Sequence, residues 1–293
     1  MIYNYIDESI LTDIADAIRE VNGKSVKYKP KDMASAIRRI GQKPLYDFAT
    51  ATDEELTEMV NAYYNGIITL DEVKSVWSVG DKRKINLSAM EATGVGESHV
   101  AQEQYFTILD FEHDDLVTSA SGKTKALITV QQLNVLSNGT TAEDGYMNST
   151  DTNTNGWDGS VRRTWCNNVY YNALPSNIKS LIKQITKQNY KVYNSTTLST
   201  TNDYIFLPSE TEIFATKGMS AGNTEGTQYE YYTTSANKIK YKGNTSTIGS
   251  AYMWWERSPF SGGTSYFCSV GSGGTANSYY ASFAFGLAPA FCI

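Results

Sequence analysis

Two firm stretches, Trp254-Trp255-Glu256-Arg257-Ser258-Pro259 and Gly286-Leu287-Ala288-Pro289-Ala290-Phe291-Cys292-Ile293, enclose the part of the chain on which its reading turns. The 26 residues between them, Phe260 to Phe285, carry no charged side chain, whereas 19% of the whole chain is charged. Six Ser, five Gly, four Phe and three Tyr make up most of this interval. Large rigid rings among small adaptable polar residues are the composition of a paratope-like surface. A buried core would be richer in Leu, Ile and Val.

The order within the interval adds a direction. Ser269, Gly271, Gly273 and Thr275 alternate with Val270, Ser272, Gly274 and Ala276, and Phe283 and Phe285 flank Ala284. Period two predicts extended chain, one set of side chains facing the fold and the other facing out. By composition alone the segment also reads as a Gly/Ser-rich hairpin. The apolar flanks and the apolar ending Phe291-Cys292-Ile293 favour a structured surface over a tail.

The WWERSP…GLAPAFCI pattern resembles the C-terminal half of C-type-lectin-like domains of phage and gut-bacterial proteins, distant relatives of the formylglycine-generating-enzyme fold. The interval is similar to the variable region of target proteins of diversity-generating retroelements, in which Asn codons of a template are miscopied. Lys, Glu, Gln, Met and Trp lie outside the reach of that miscopying, and all five are absent from Phe260 to Phe285. The resemblance covers roughly residues 80–293 and includes an R-x-x-W before a helical pair, then FLPSE. It implies an α+β, C-type-lectin-like fold with a variable region at about 260–285. The ligand-binding positions it implies are Phe260, Gly262, Gly263, Thr264, Ser265, Tyr266, Ser269, Gly271, Gly273, Thr275, Ser278, Tyr279, Tyr280, Phe283 and Phe285. Phe267, Cys268, Val270, Ala276, Ala281 and Ala284 fall to the framework, with Trp254, Trp255, Glu256 and Arg257 as structural frame and Glu256–Arg257 as a pair. Many relatives carry Arg where this chain has Ala288, so a salt bridge built on that Arg is lost.

Size and charge narrow the classes. A chain of 293 residues exceeds one typical domain. A net charge of −6 without a basic run argues against nucleic-acid binding. No apolar stretch approaches a membrane span, and no basic segment followed by an apolar run opens the chain, so it reads as made in a cytoplasm. Three widely spaced cysteines, Cys166, Cys268 and Cys292, are poor material for a disulfide framework.

Taken in order, residues 1–44 read as a small helical attachment or oligomerisation segment. Ile10, Leu11, Ile14 and Ile18 form a helical stripe, and a second helix is expected from Pro30 to Gly41. LTDIADAIREVNGKSVKYKPKDMASAIRRI is similar to a segment of phage tail and baseplate proteins, which implies tail or baseplate partners and, by analogy with fibres, a homotrimer. Residues 45–79 read as a helical connector. Thr52 to Glu55 and Thr69 to Glu72 match capping boxes, and Gly66 stops the first helix. The remaining chain, 80–293, predicts strands at Lys84–Leu87, Tyr105–Phe111 and Ala126–Val130. Helical sequence is expected over Val161–Ala173 and Pro175–Gln188. Asp203 to Glu210 reads as a strand entering a capped helix.

No catalytic, cofactor or metal residues emerge. His99 and His113 have no metal-ligand partner at short spacing, and Glu112-His113-Asp114-Asp115 reads as a solvated turn. The acidic-Pro-Asn triplet of sugar-binding lectins is absent. Cys268 and Cys292 invite comparison with the cysteine pair of formylglycine-generating oxidases, but both lie in apolar contexts. The resemblance implies a phage- or prophage-encoded adhesin, carried on a virion and binding a bacterial cell-surface protein or glycan. The alternatives are a bacterial surface or secreted binding protein of the same fold and, third, an oxidase using Cys268.

Overall fold

The computed structural model describes residues 8–22, 29, 43–91, 98–136, 145–193 and 195–293. The chain forms two units, Met1–Pro44 and Leu45–Ile293. In the first, helix α1 spans Glu8–Asn22. Ala15 and Ile18 are buried with Leu11 packed against them, whereas Ile10, Ile14 and Val21 are exposed. The expected stripe therefore splits, because 10, 14 and 21 lie on a neighbouring line of the helix surface. The second helix expected from Pro30 to Gly41 lies outside the described residues.

The second unit is α+β. It opens with α2 (Asp53–Tyr64) and α3 (Leu70–Lys74), each started by a complete capping box, Thr52 with Glu55 and Thr69 with Glu72. Leu56, Met59, Val60 and Tyr63 are buried on α2, and Gly66 follows it with a positive φ of 71°. The connector residues are tied into this unit. The Trp77 indole donates to the Tyr46 carbonyl at 2.8 Å, and Arg83 donates to the carbonyls of Phe48 and Ala51 and to Asp53.

Four antiparallel strands make the main sheet: β1 (Lys82–Leu87), β2 (Gln102–Phe111), β5 (Ile128–Gln132) and the C-terminal β13 (Ala290–Cys292), in the order β1-β2-β5-β13. Strand β5 is buried along its whole length, and β13 seats Phe291 and Cys292 in the core beside it, with Ile293 buried just after it. A second sheet runs β4-β3-β6-β7, from β3 (Asp115–Ala120), β4 (Lys123–Lys125), β6 (Ile185–Tyr190) and β7 (Leu198–Asp203). Helix α4 (Val161–Trp165) continues through a π-helical turn at Cys166–Tyr170 to Ala173, which buries Trp165 and Tyr170.

Helix α5 is short, Ser176–Leu181. The helix expected to reach Gln188 instead leaves the helical region at Ile182, and the chain enters β6. Leu181, Ile182 and Ile185 are all buried as expected, but spacing of that kind serves a helix end and a strand start equally. The strand expected from Asp203 ends there. Residues 204–209 run irregularly, with one bridge from Phe206 to Ala290, into α6 (Glu210–Phe214), capped by Ser209 and Glu212. A ribbon of β8 (Lys240–Gly243) and β9 (Ile248–Tyr252) leads to β10 (Trp254–Pro259), β11 (Tyr266–Val270) and β12 (Ala276–Tyr280), which form a three-stranded sheet of their own. Among the described residues no helix is long and apolar enough to cross a membrane.

Candidate functional site: an aromatic hairpin on a buried polar frame

The hairpin is built from its middle strand outward. Strand β11 lies between β10 and β12, pairing Trp255 with Ser269 on one side and Phe267 with Tyr279 on the other. Phe267, Cys268, Ser269 and Val270 are all buried, so both faces of β11 are covered. Every residue of edge strand β12, by contrast, is half-buried or exposed. Exposure is therefore set by position in the sheet rather than by alternation along one strand. The expectation that Ser269 and Gly271 face outward is thereby corrected, since both are buried. Extended chain also stops at Val270. Gly271 to Thr275 form the turn, closed by Gly271 N–H to the Thr275 carbonyl and Gly274 N–H to the Gly271 carbonyl, each 2.8 Å. Gly274 takes a φ of 79°, a conformation that suits glycine.

The other thirteen expected contact positions are exposed or half-buried. Of the expected framework, Phe267, Cys268, Val270 and Ala281 are buried, Ala276 is half-buried, and Ala284 is exposed beside Phe283. Six rings form one group across the surface, in T-shaped and tilted contacts. Phe260 meets Tyr266 at 5.7 Å between centroids, Tyr266 meets Tyr280 at 4.4 Å, and Tyr279 meets Phe283 at 4.6 Å and Phe285 at 4.9 Å. Phe285 then packs on the buried ring of Trp255 at 5.2 Å. Phe283 is 48% exposed and Tyr280 39%, which makes them the most open rings of the group. A hydrogen bond with Tyr280 raises the Tyr266 phenol above its ordinary value.

The backbone beneath these rings is fixed by the polar loop at 148–159. Asn153 donates its side-chain amide to the carbonyls of Tyr266 (2.8 Å), Gly263 (2.9 Å) and Phe260 (3.3 Å). Its main-chain N–H donates to the Thr264 carbonyl at 2.7 Å. Met147 and Asn148 donate to the Ala281 carbonyl, and Asp151 accepts from the N–H and hydroxyl of Ser282. The loop's density of Asn, Thr and Asp marks it as a turn, but partners more than a hundred residues away leave no signal in the sequence.

The frame departs from expectation in its pairing. Glu256 and Arg257 do not pair, because Arg257 is taken by Glu212. Arg257 is wholly buried and forms an ion pair with Glu212, while its Nε donates to Asn189 Oδ1 at 2.8 Å. The Trp254 and Trp255 indoles donate to the carbonyls of Lys238 (3.0 Å) and Gly145 (2.7 Å). Neither carboxylate oxygen of Glu256 has a hydrogen-bond partner.

Arg257 opens onto a buried network that sequence reasoning missed. Glu212 also accepts from Lys187 at 2.8 Å, and Lys187 reaches Asp114 and the Tyr229 hydroxyl. Thr129 and the Tyr229 hydroxyl also donate to Asp114, and the Cys292 thiol and the His113 ring lie beside it. Burial opposes ionisation of Asp114, but Lys187 and then His113 hold its carboxyl well below the ordinary range. Burial likewise opposes ionisation of Glu212, and Arg257 and Lys187 lower it on balance. The segment expected as a solvated turn, Glu112 to Asp115, thus has Asp114 in the interior and the His113 ring against Tyr229 at 4.2 Å. Asp114 stands in the bend just before β3, where Lys187 of β6 meets it.

Cys166, Cys268 and Cys292 are buried free thiols. Burial pushes Cys166 up to about 12 and raises Cys268 and Cys292 above their ordinary values. A thiol held protonated is a weak nucleophile. Among the described residues no group of three His, Cys, Asp or Glu is placed to hold a metal ion. One shallow polar cleft, lined by Val79, Lys82, Glu230 and Asn237 among others, shares no residue with the hairpin.

Residues 124–293 match the model of the family described as domain of unknown function DUF6273, and the chain belongs to that family. The match contains β5, the frame, the hairpin and β13. No curated protein and no solved structure matches the chain.

Proposed function

We propose that the protein is a binding protein, and that the aromatic hairpin on a C-type-lectin-like scaffold is its ligand-binding face. The observation that carries this reading is the separation of roles within the hairpin. Phe260, Tyr266, Tyr279, Tyr280, Phe283 and Phe285 form one partly exposed surface, and the bonds that hold the turns beneath them go largely to main-chain atoms. Rings with few rotatable bonds supply contact area at low entropic cost, and Gly, Ser and Thr between them allow close approach. Such a face tolerates exchange of its side chains, as the target of a diversity-generating retroelement requires. In this reading the chain is a phage or prophage adhesin for a bacterial surface receptor, and residues 1–44 attach it to a tail or assemble it as a trimer. Several copies on one particle would compensate for modest affinity at each site.

The test is binding of labelled full-length chain to a panel of intact bacterial strains. The triple change Tyr266→Ala, Tyr280→Ala, Phe283→Ala should lower binding at least tenfold while its melting temperature stays close to that of the parent. Undiminished binding by the triple variant would place the ligand elsewhere. An adenine-rich copy of the segment encoding Phe260 to Phe285 beside a reverse transcriptase gene would support the origin of the face. Neighbouring tail genes separate the virion reading from a bacterial surface protein.

A further inference from the structure

Beneath the aromatic hairpin lies a group of acids that the binding reading leaves unused. Glu256 is 0% exposed, and both its carboxylate oxygens lack a hydrogen-bond partner. Its titratable neighbours are Glu210 on α6, Glu225 in the loop that follows, Arg257 beside it on β10, Cys268 on β11, and Tyr232 in the 3-10 turn Glu230–Thr233. The charged ones among them are engaged elsewhere. Glu210 accepts from the Met219 and Ser220 N–H groups at 2.7 Å each. Glu225 accepts from the Tyr190 N–H at 2.8 Å through Oε1. Arg257 directs its guanidinium to Glu212, Asn189 and the carbonyls of Leu207, Gln188 and Glu225. Glu210, Glu225 and Glu256 are thus three fully buried carboxyl groups with one cation among them, and that cation is turned to a fourth acid.

We infer that Glu256 is held as a neutral carboxylic acid, and that its ionisation in alkaline medium loosens the β10–β11 pairing that carries the aromatic hairpin. An isolated carboxylate is not sustained in an apolar interior, so the group keeps its proton instead. Burial, followed by the like charges of Glu210 and Glu225, raises Glu256 well above the carboxylate range. The sign follows from proton counting. Above the ordinary value of 4.5 the unfolded chain has lost this proton and the folded chain keeps it. Stability is therefore fullest below that value and falls as pH rises toward the raised folded value, by up to about tenfold in the unfolding constant per pH unit. His113, raised by Asp114 against the effect of burial, acts in the same direction. Glu225, raised by burial to about 7, titrates in the same window and in the same direction. Both groups are present in the wild type and in the Glu256 variants alike, so the ratio between the proteins removes their own contribution. Only the functional consequence rests on the proposed binding face.

The experiment is urea unfolding of the full chain from pH 5 to pH 9, wild type beside Glu256→Gln and Glu256→Met. Both variants remove the ionisation, and Met also removes the polar head. The ratio of wild-type to variant unfolding constants should grow with pH by up to about tenfold per unit, with Glu256→Gln the more stable protein at pH 8. Hydrogen exchange of the Cys268 and Val270 amides, corrected for intrinsic rates, should accelerate with pH in the wild type and not in Glu256→Gln. A pH-independent ratio, failure of both variants to fold, or equal protection of β11 in both proteins would overturn the inference. The two readings fail separately. Loss of the pH effect leaves the binding face intact, and undiminished binding by the aromatic triple variant leaves the stability effect intact.

Discussion

Replacing Lys187 by Met tests whether the buried network holds the fold together. The Lys187 ammonium lies between Asp114 and Glu212, donates to the Tyr229 hydroxyl, and sits 4.1 Å from the centroid of the Phe206 ring. Methionine fills most of the stem volume and removes the charge. Asp114 and Glu212 are then both buried, with Arg257 left to serve Glu212 alone. Removing one partner of a buried ion pair costs about 3–5 kcal/mol, because the other charge stays in the interior uncompensated. For a domain of this size each kcal/mol lowers the melting temperature by roughly 2–4 °C, so the expected drop is about 6–20 °C. Thermal unfolding followed by near-ultraviolet circular dichroism reads it directly, since the Tyr229 and Phe206 rings lie against Lys187. Adding Asp114→Asn to the Lys187→Met chain neutralises the orphaned acid and should restore part of the loss. A drop below about 2 °C in the single variant, or a double variant less stable than the single, would refute the claim that Lys187 compensates these acids.

Other outcomes follow from the same structure. Asp114 is held below its ordinary value of 3.8, so its contribution is present above that value and is lost as pH falls toward the folded one; acid unfolding should occur at lower pH in the wild type than in Lys187→Met. A Cβ on Gly286 would press on Val135 Cγ1 and lie 2.8 Å from the Met253 carbonyl, so Gly286→Ala should lower stability by about 1–3 kcal/mol in urea unfolding. Thr275→Asn, in the exposed turn, should change stability by less than about 0.5 kcal/mol, whereas Ser269→Asn, in the covered middle strand, should cost about 1–3 kcal/mol.

Local chemistry made much of the framework legible. Thr52, Thr69 and Ser209 announce helices because a capping box is complete within four residues, and the apolar positions of α2 fall on one face. Composition marked Phe260 to Phe285 as a surface and not a core, and thirteen of the fifteen positions that the resemblance implies are exposed or half-buried. What failed depends on neighbours distant in sequence. Ser269 looks outward-facing until β10 and β12 are known to flank it. Glu256 beside Arg257 looks like a pair, but Arg257 finds its acid 45 residues away. Lys187 lies 73 residues from Asp114 and 25 from Glu212, in a stretch whose apolar spacing also suits a helix. Pairing of that range is a property of the folded topology, and period and composition carry no trace of it.

The Asn153 amide imposes a rule on the segment from Phe260 to Tyr266 that concerns length and not chemistry. Because it gathers the carbonyls of Phe260, Gly263 and Tyr266, any side chain can be exchanged at those places without touching the mount. Adding or deleting one residue between them would carry at least one carbonyl out of reach. The turn at Gly271–Thr275 is under no such restraint, and a longer loop there would cost only a slowly growing closure entropy. New shapes can therefore enter this surface by two routes, substitution at the mounted segment and insertion at the turn, whereas lengthening the mounted segment would give up one or more of the Asn153 bonds.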